Sequence, residues 1–180
     1  MKRATTYFRI ISVAGQIGSG KTSLANELCK ILNAKMVSFG DYVRSEATGR
    51  NMPLDRTSLQ HLGGSLISEL GYLEFVKRVL SMVEPHPFMI VDGIRHTEVW
   101  RALHSLFPKS LLVYLDITET IRLERLRDRD NLDIDSIRAA MDHPMEKNIP
   151  LLRDLADIVL QLSSISEMTA KIVKLVDEAQ

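Results

Sequence analysis

The 180 residues carry 23 basic and 23 acidic side chains and a single cysteine. Balanced charge excludes a global field for nucleic acid or an anionic membrane, and lone Cys29 excludes an internal disulfide. No apolar run approaches a membrane span, and the basic start, MKR, lacks the apolar segment and cleavage site of a secretion signal. The expectation is one domain spanning 1–180, reduced and cytoplasmic, monomeric or homodimeric, with no nucleic-acid or membrane partner and any anion site local.

The first element is the apolar stretch FRIISVA, a buried strand on Ile10, Ile11, Val13 and Ala14. It runs into Gly15–Thr22, GQIGSGKT, which matches the phosphate-cradling pattern G-x-x-x-x-G-K-[ST] at every fixed position. Glycines let successive backbone N–H groups approach phosphates, and the helix that follows adds its positive end. That helix carries Leu24, Leu28, Ile31 and Leu32 at helical spacing, with Cys29 as ordinary packing. Gly15, Gly18, Ser19, Gly20, Lys21, Thr22 and Ser23 are therefore candidates for holding ATP, with Thr22 placed for Mg²⁺.

A short strand, Lys35–Ser38, then leads into Phe39-Gly40-Asp41-Tyr42-Val43-Arg44. Residues 41–86 read as an inserted helical lobe with two stripes, Leu59, Leu62, Leu66 and Leu70, and Leu73, Val76, Leu80 and Val83. Gly63-Gly64 and Gly71 weaken those helices or allow close packing. Phe88–Val91 is the third strand, ending at Asp92-Gly93-Ile94-Arg95, and Asp92 stands where a metal-ordering carboxylate would. Trp100 follows in a helix, as packing. Leu111–Leu115 is the fourth strand; Arg122, Arg125 and Arg129 share one stripe of the next helix, whose far end is placed to lean over phosphates. Asp157–Leu160 is the fifth strand, and a helix on Ile165, Met168, Ile172, Leu175 and Ala179 closes the sheet.

Short apolar runs alternating with amphipathic helices predict an α/β fold, a five-stranded parallel sheet covered on both faces in three layers. Ligands bind such sheets beyond the carboxyl ends of the strands, which is where the phosphate loop, the Asp41–Arg44 segment and the Asp92–Arg95 segment fall. Two arginines, each three residues beyond an aspartate, facing one phosphate loop, point to a second anionic substrate. The five histidines show no metal-ligand spacing; His96 alone, beside Arg95, is placed to touch substrate.

In order along the chain, GQIGSGKT, GDYVR, DGIR and RLRDR resemble the motifs of the P-loop nucleoside monophosphate kinases, adenylate kinase in particular. GDYVRSEATGR followed by VDGIRHTE is closer still to a group of archaeal adenylate-kinase-related proteins. The resemblance implies ATP and Mg²⁺ at the loop with Lys21 and Asp92, Arg125 against the donor base and Arg129 on its phosphates. It implies Arg44 and Arg95 on the acceptor phosphate, Phe39 beside the acceptor base, and Asp41 with Asp92 ordering the metal's water shell. Departures are visible: the arginine of Gly93-Ile94-Arg95-His96 stands one residue earlier than in Gly-Phe-Pro-Arg, and only a short lid, 130–153, is available, with Arg138 a candidate lid arginine. The implied activity is transfer of the γ-phosphoryl group of ATP to a nucleoside monophosphate. The alternatives are transfer to a hydroxyl, as in dephospho-coenzyme A kinase with a carboxylate such as Asp41 as base, and a nucleotide-driven ATPase switch.

Overall fold

Alternation along β1 (Arg9–Gly15) decides the layering of the molecule. Ile10 and Ala14 enter one apolar cluster and Ile11 and Val13 the other, as successive side chains of a strand must. The computed structural model describes residues 9–130, 134–142, 144–161 and 163–178; the side chain of Arg129, together with His143 and Ala179, lies outside the described residues.

In chain order the elements are β1, α1 (Lys21–Ile31), β2 (Lys35–Ser38), α2 (Phe39–Gly49), α3 (Arg56–Leu80), β3 (Phe88–Asp92), α4 (Thr97–Leu106) and β4 (Leu111–Leu115). They continue as α5 (Glu119–Asp130), α6 (Ile134–Met141), α7 (Pro144–Lys147), a 3-10 helix (Ile149–Leu155), β5 (Ile158–Leu160) and α8 (Ile165–Glu178). The strands form one sheet, ordered β2-β3-β1-β4-β5 and parallel throughout. This is the five-stranded α/β architecture expected from the sequence.

One face is covered by α1 and α8, whose Leu24, Leu28, Met168 and Ile172 meet Ile11, Val13 and Ile90. The other is covered by α2, α3, α4 and the 3-10 helix, which bring Phe39, Phe75, Trp100 and Leu152 onto Ile10, Val91 and Tyr114. Trp100 is a core residue, and Cys29 is half-buried against the cluster under α1 and α8, where burial raises its thiol pKa and keeps it protonated. The predicted lobe is α2 with α3; the latter runs on either side of a non-helical Gly71 (φ 72, ψ 161). Two strand ends differ from expectation. β3 extends one residue further, through Asp92, and β5 starts at Ile158, because the Asp157 carboxylate turns back to accept the Leu112 N–H at 2.7 Å. Among the described residues no helix is long and apolar enough to cross a membrane.

Since Leu28 is fully buried between α1 and the sheet, Leu28→Ala should lower unfolding free energy by ~2–5 kcal/mol, read from chemical denaturation. A loss near zero would mean that α1 does not seal this face.

Candidate functional site at the carboxyl end of the sheet

The register Val13↔Asp92 sets the end of β3 beside the loop that leaves β1. The loop can close there only with glycine at its turning points. Gly15 has φ +148 and Gly18 φ +80, and a Cβ on Gly18 would stand 2.7 Å from the Arg122 carbonyl oxygen. Lys21 opens α1 and donates from Nζ to the Gln16 carbonyl at 3.0 Å, so its ammonium lies folded across its own loop. Burial lowers its pKa to about 8, with Asp92 and Glu146 pulling it back up and Arg95 and Arg122 pushing it down. Thr22 Oγ1 donates to Asp92 Oδ2 at 2.9 Å. Asp92 is only 7% exposed, and its Oδ1 is buried without a hydrogen-bond partner among the described residues. A hydroxyl and a carboxylate with a free oxygen lobe at the loop's end are the donor set a hard divalent cation takes.

The arginines of α5 separate by depth. Arg122, 5% exposed, is committed to backbone: Nη1 donates to the Ile17 carbonyl at 3.3 Å and Nε to the Ile117 carbonyl at 3.2 Å. Arg125 lies nearer solvent and donates from Nη1 to the Ser19 carbonyl at 3.0 Å. Ile17, Leu126 and Ile137 form a small apolar cluster that fastens α5 and α6 to the loop. Arg138 is exposed on α6. Ser23 is exposed in the first turn of α1, and Ser19 is buried in the loop with its Oγ unpartnered among the described residues.

Beside the loop opens a cleft of about 310 Å³ between the sheet and the α2–α3 lobe. Phe39, Val43, Leu59 and Phe75 give it apolar walls, while Arg44, Arg95 and Gln60 give it polar ones. Both sequence-predicted arginines thus face one cavity, and each already has an acidic partner. Arg44, half-exposed, pairs with Asp41 one helical turn back. Asp41 is held there on the first turn of α2; the carboxylate that meets Thr22 is that of Asp92. Arg95 donates from Nη1 to Glu146 Oε1. His96 also lines the cleft, its Nε2 buried and unpartnered among the described residues; burial lowers its pKa, leaving the ring neutral at pH 7.

Glu146 and Arg122 are the residues that sequence reading missed. Glu146, on the short α7, is 1% exposed and accepts the Ile17 N–H at Oε2, 3.0 Å away, while its other oxygen holds Arg95. No motif marks it; its only signal is an acid in a segment otherwise free of reasons to be buried.

A family model described as an AAA domain matches residues 11–146. The UPF0200 protein of Pyrobaculum aerophilum is 29% identical over 156 residues, covering 87% of this chain and 81% of that one. The UPF0200 protein of Thermococcus gammatolerans is 30% identical over 130 residues, covering 69% and 68%. Among solved structures, shikimate kinase from Aquifex aeolicus superposes with a TM-score of 0.60 at 20% identity, covering 93% of this chain and 96% of that one. That likeness establishes a kinase-like P-loop fold.

The loop geometry is testable by itself. Gly18→Ala places a methyl against the Arg122 carbonyl in a left-handed backbone that costs an L-residue ~1–2 kcal/mol, so the melting temperature should fall. Hydrogen exchange should quicken selectively in α5. Unchanged exchange there would mean that loop and helix are not in contact.

Proposed function

Because the chain belongs to the AAA domain family and to the UPF0200 family, we propose that its P-loop fold is that of an ATP-dependent phosphotransferase acting on a nucleoside monophosphate. The observation that carries this reading is the cleft with Arg44 and Arg95 on its wall, opening beside a complete phosphate loop. A nucleotide switch needs one phosphate site. Two arginines in a second, partly apolar cavity suit a substrate with an anionic end and a flat ring, and Phe39 and Phe75, their rings 5.4 Å apart, supply an aromatic wall for the ring.

On this reading Gly15, Gly18, Ser19, Gly20, Lys21, Thr22 and Ser23 hold the donor phosphates and Arg125 on α5 stands against the donor base, while the side chain of Arg129, expected on those phosphates, lies outside the described residues. Thr22 and Asp92 would hold the Mg²⁺ that accompanies the nucleotide, and that ion would neutralise charge on the phosphate oxygens. The acceptor phosphate is itself the nucleophile, so no general base is needed. The work of the protein is alignment and charge neutralisation. Lys21 would exchange the Gln16 carbonyl for phosphate oxygens, Arg44 would exchange Asp41 for the acceptor phosphate, and the α2–α3 lobe would close over the acceptor and exclude water. The expected lid, 130–153, lies in part outside the described residues; α6 and α7 within it would cover the donor side.

Arg44→Lys decides between a phosphate acceptor and a hydroxyl acceptor. An ammonium keeps the charge but not the two-pronged contact a guanidinium makes with phosphate, so monophosphate binding should weaken by ~1.5–3 kcal/mol while ATP binding stays at the parent level. ADP formation would be screened against each nucleoside monophosphate and against dephospho-coenzyme A. Equal monophosphate binding by parent and variant would end the assignment.

ATP affinity should also depend on pH through Lys21. In the nucleotide-free protein this amine is half-protonated at about pH 8, and bound phosphates raise its pKa, so binding above that pH takes up a proton. Affinity should be flat at lower pH and fall by roughly tenfold per unit as pH rises past 8. Calorimetry across this range would show the slope, and Lys21→Met should abolish it; a slope that survives belongs to another group.

A further inference from the structure

Glu146 stands where donor and acceptor sites meet. One of its oxygens takes the backbone N–H of Ile17, third residue of the phosphate loop, and the other takes the guanidinium of Arg95, which lines the acceptor cleft. The Lys21 ammonium also feels its charge. A group passing from a donor on the loop to an acceptor in the cleft must be touched by both sides, and within the described residues Glu146 is the anion so touched. A carboxylate and a phosphoryl group present oxygens that the same N–H and guanidinium donors bind in the same way. With 1% exposure, the carboxylate is no solvated surface acid.

We propose that the Glu146 carboxylate occupies, in the nucleotide-free protein, the place of the phosphoryl group to be transferred, and so sets how the donor site distinguishes a triphosphate from a diphosphate. This rests on the reading of Gly15–Thr22 as an ATP site. ATP brings a γ-phosphate that must expel Glu146 from Ile17 and Arg95. ADP ends one phosphate short and leaves both contacts in place. The carboxylate thereby taxes ATP binding, neutralises Arg95 and Lys21 when no nucleotide is bound, and returns to the vacated place once the phosphoryl group has left. A clip that only held α7 to the loop would burden the two nucleotides alike.

The test is titration of parent and Glu146→Gln with Mg²⁺ and either ADP or a non-hydrolysable ATP analogue. If Glu146 fills the place ~90–99% of the time, the variant should bind the triphosphate ~10- to 100-fold more tightly and ADP within about twofold of parent. Equal gains for both nucleotides, or no gain for the triphosphate in a folded variant, would overturn the inference while leaving the donor site intact. A parent that binds neither nucleotide would overturn the donor reading and the inference with it. Should the variant fail to fold, hydrogen exchange in the parent gives the answer. Amides of 145–147 should exchange faster with the triphosphate analogue than with ADP, and equal or slower exchange overturns the proposal.

Discussion

The parallel pairing of β1 with β3 is the constraint on which everything else depends. It is made of backbone hydrogen bonds in the middle of a sheet whose two faces are both buried, where a register slip would turn Ile10 and Ile11 toward the wrong layers. With the register fixed at Val13↔Asp92, β3 ends two residues short of the end of β1 at Gly15, so both strand ends open onto the same side of the loop. Asp92 then meets Thr22 across the start of α1, and the chain beyond Gly93 carries Arg95 and His96 into the cleft. Neither the loop nor the arginine needs a long-range contact of its own to find the other.

Charge is the second constraint, since the place where the loop meets the cleft gathers three cations, Lys21, Arg95 and Arg122, around two carboxylates, Asp92 and Glu146. Removing so many charges from water is unfavourable unless each has a partner. Arg122 finds its partners in carbonyls and is thereby fixed as a support of the loop, with burial lowering its pKa. Lys21 has a carbonyl, Arg95 a carboxylate, and Arg44 a carboxylate on its own helix. Arg44 and Arg95, which line the cleft, are held by carboxylates, whereas Arg122 is held by two backbone carbonyls, one of them in the loop. That difference separates the loop-supporting arginine from Arg44 and Arg95, to which the proposed function gives the acceptor phosphate.

The layers were legible because their signals are local and periodic: alternation in the strands, glycines at a turn, helical spacing in α1 and α8. The phosphate loop was legible because its chemistry demands particular residues at fixed spacing. Arg122 was given no role of its own, since on a helix wheel it shares a stripe with Arg125 and Arg129, and nothing in the sequence reports that this end of α5 is pressed against Ile17. Asp41, which the resemblance sets beside the metal's water shell, has its carboxylate one helical turn from Arg44 and pairs with it. Glu146 was invisible: its partners lie 129 and 51 residues away in sequence, and a single acid carries no spacing from which such contacts can be read.

The same comparison explains why the acceptor is harder to name than the reaction class. Phosphate recognition rests on backbone N–H groups and cations, which a short motif specifies. Recognition of the rest of the acceptor rests on the shape of a cleft whose walls come from α2, both halves of α3 and the segment after β3, brought together by packing around Phe39 and Phe75. His96 Nε2 and Gln60 on that wall can read a ring edge by hydrogen bonds, and Gln60 belongs to no motif. On the proposed reading, a neutral histidine beside a glutamine and three lining arginines, Arg44, Arg56 and Arg95, suits an acceptor that is anionic at one end and carries hydrogen-bonding edges at the other. On the proposed function, selectivity would accordingly lie in the α2–α3 lobe, while the loop would hold the phosphates of the donor.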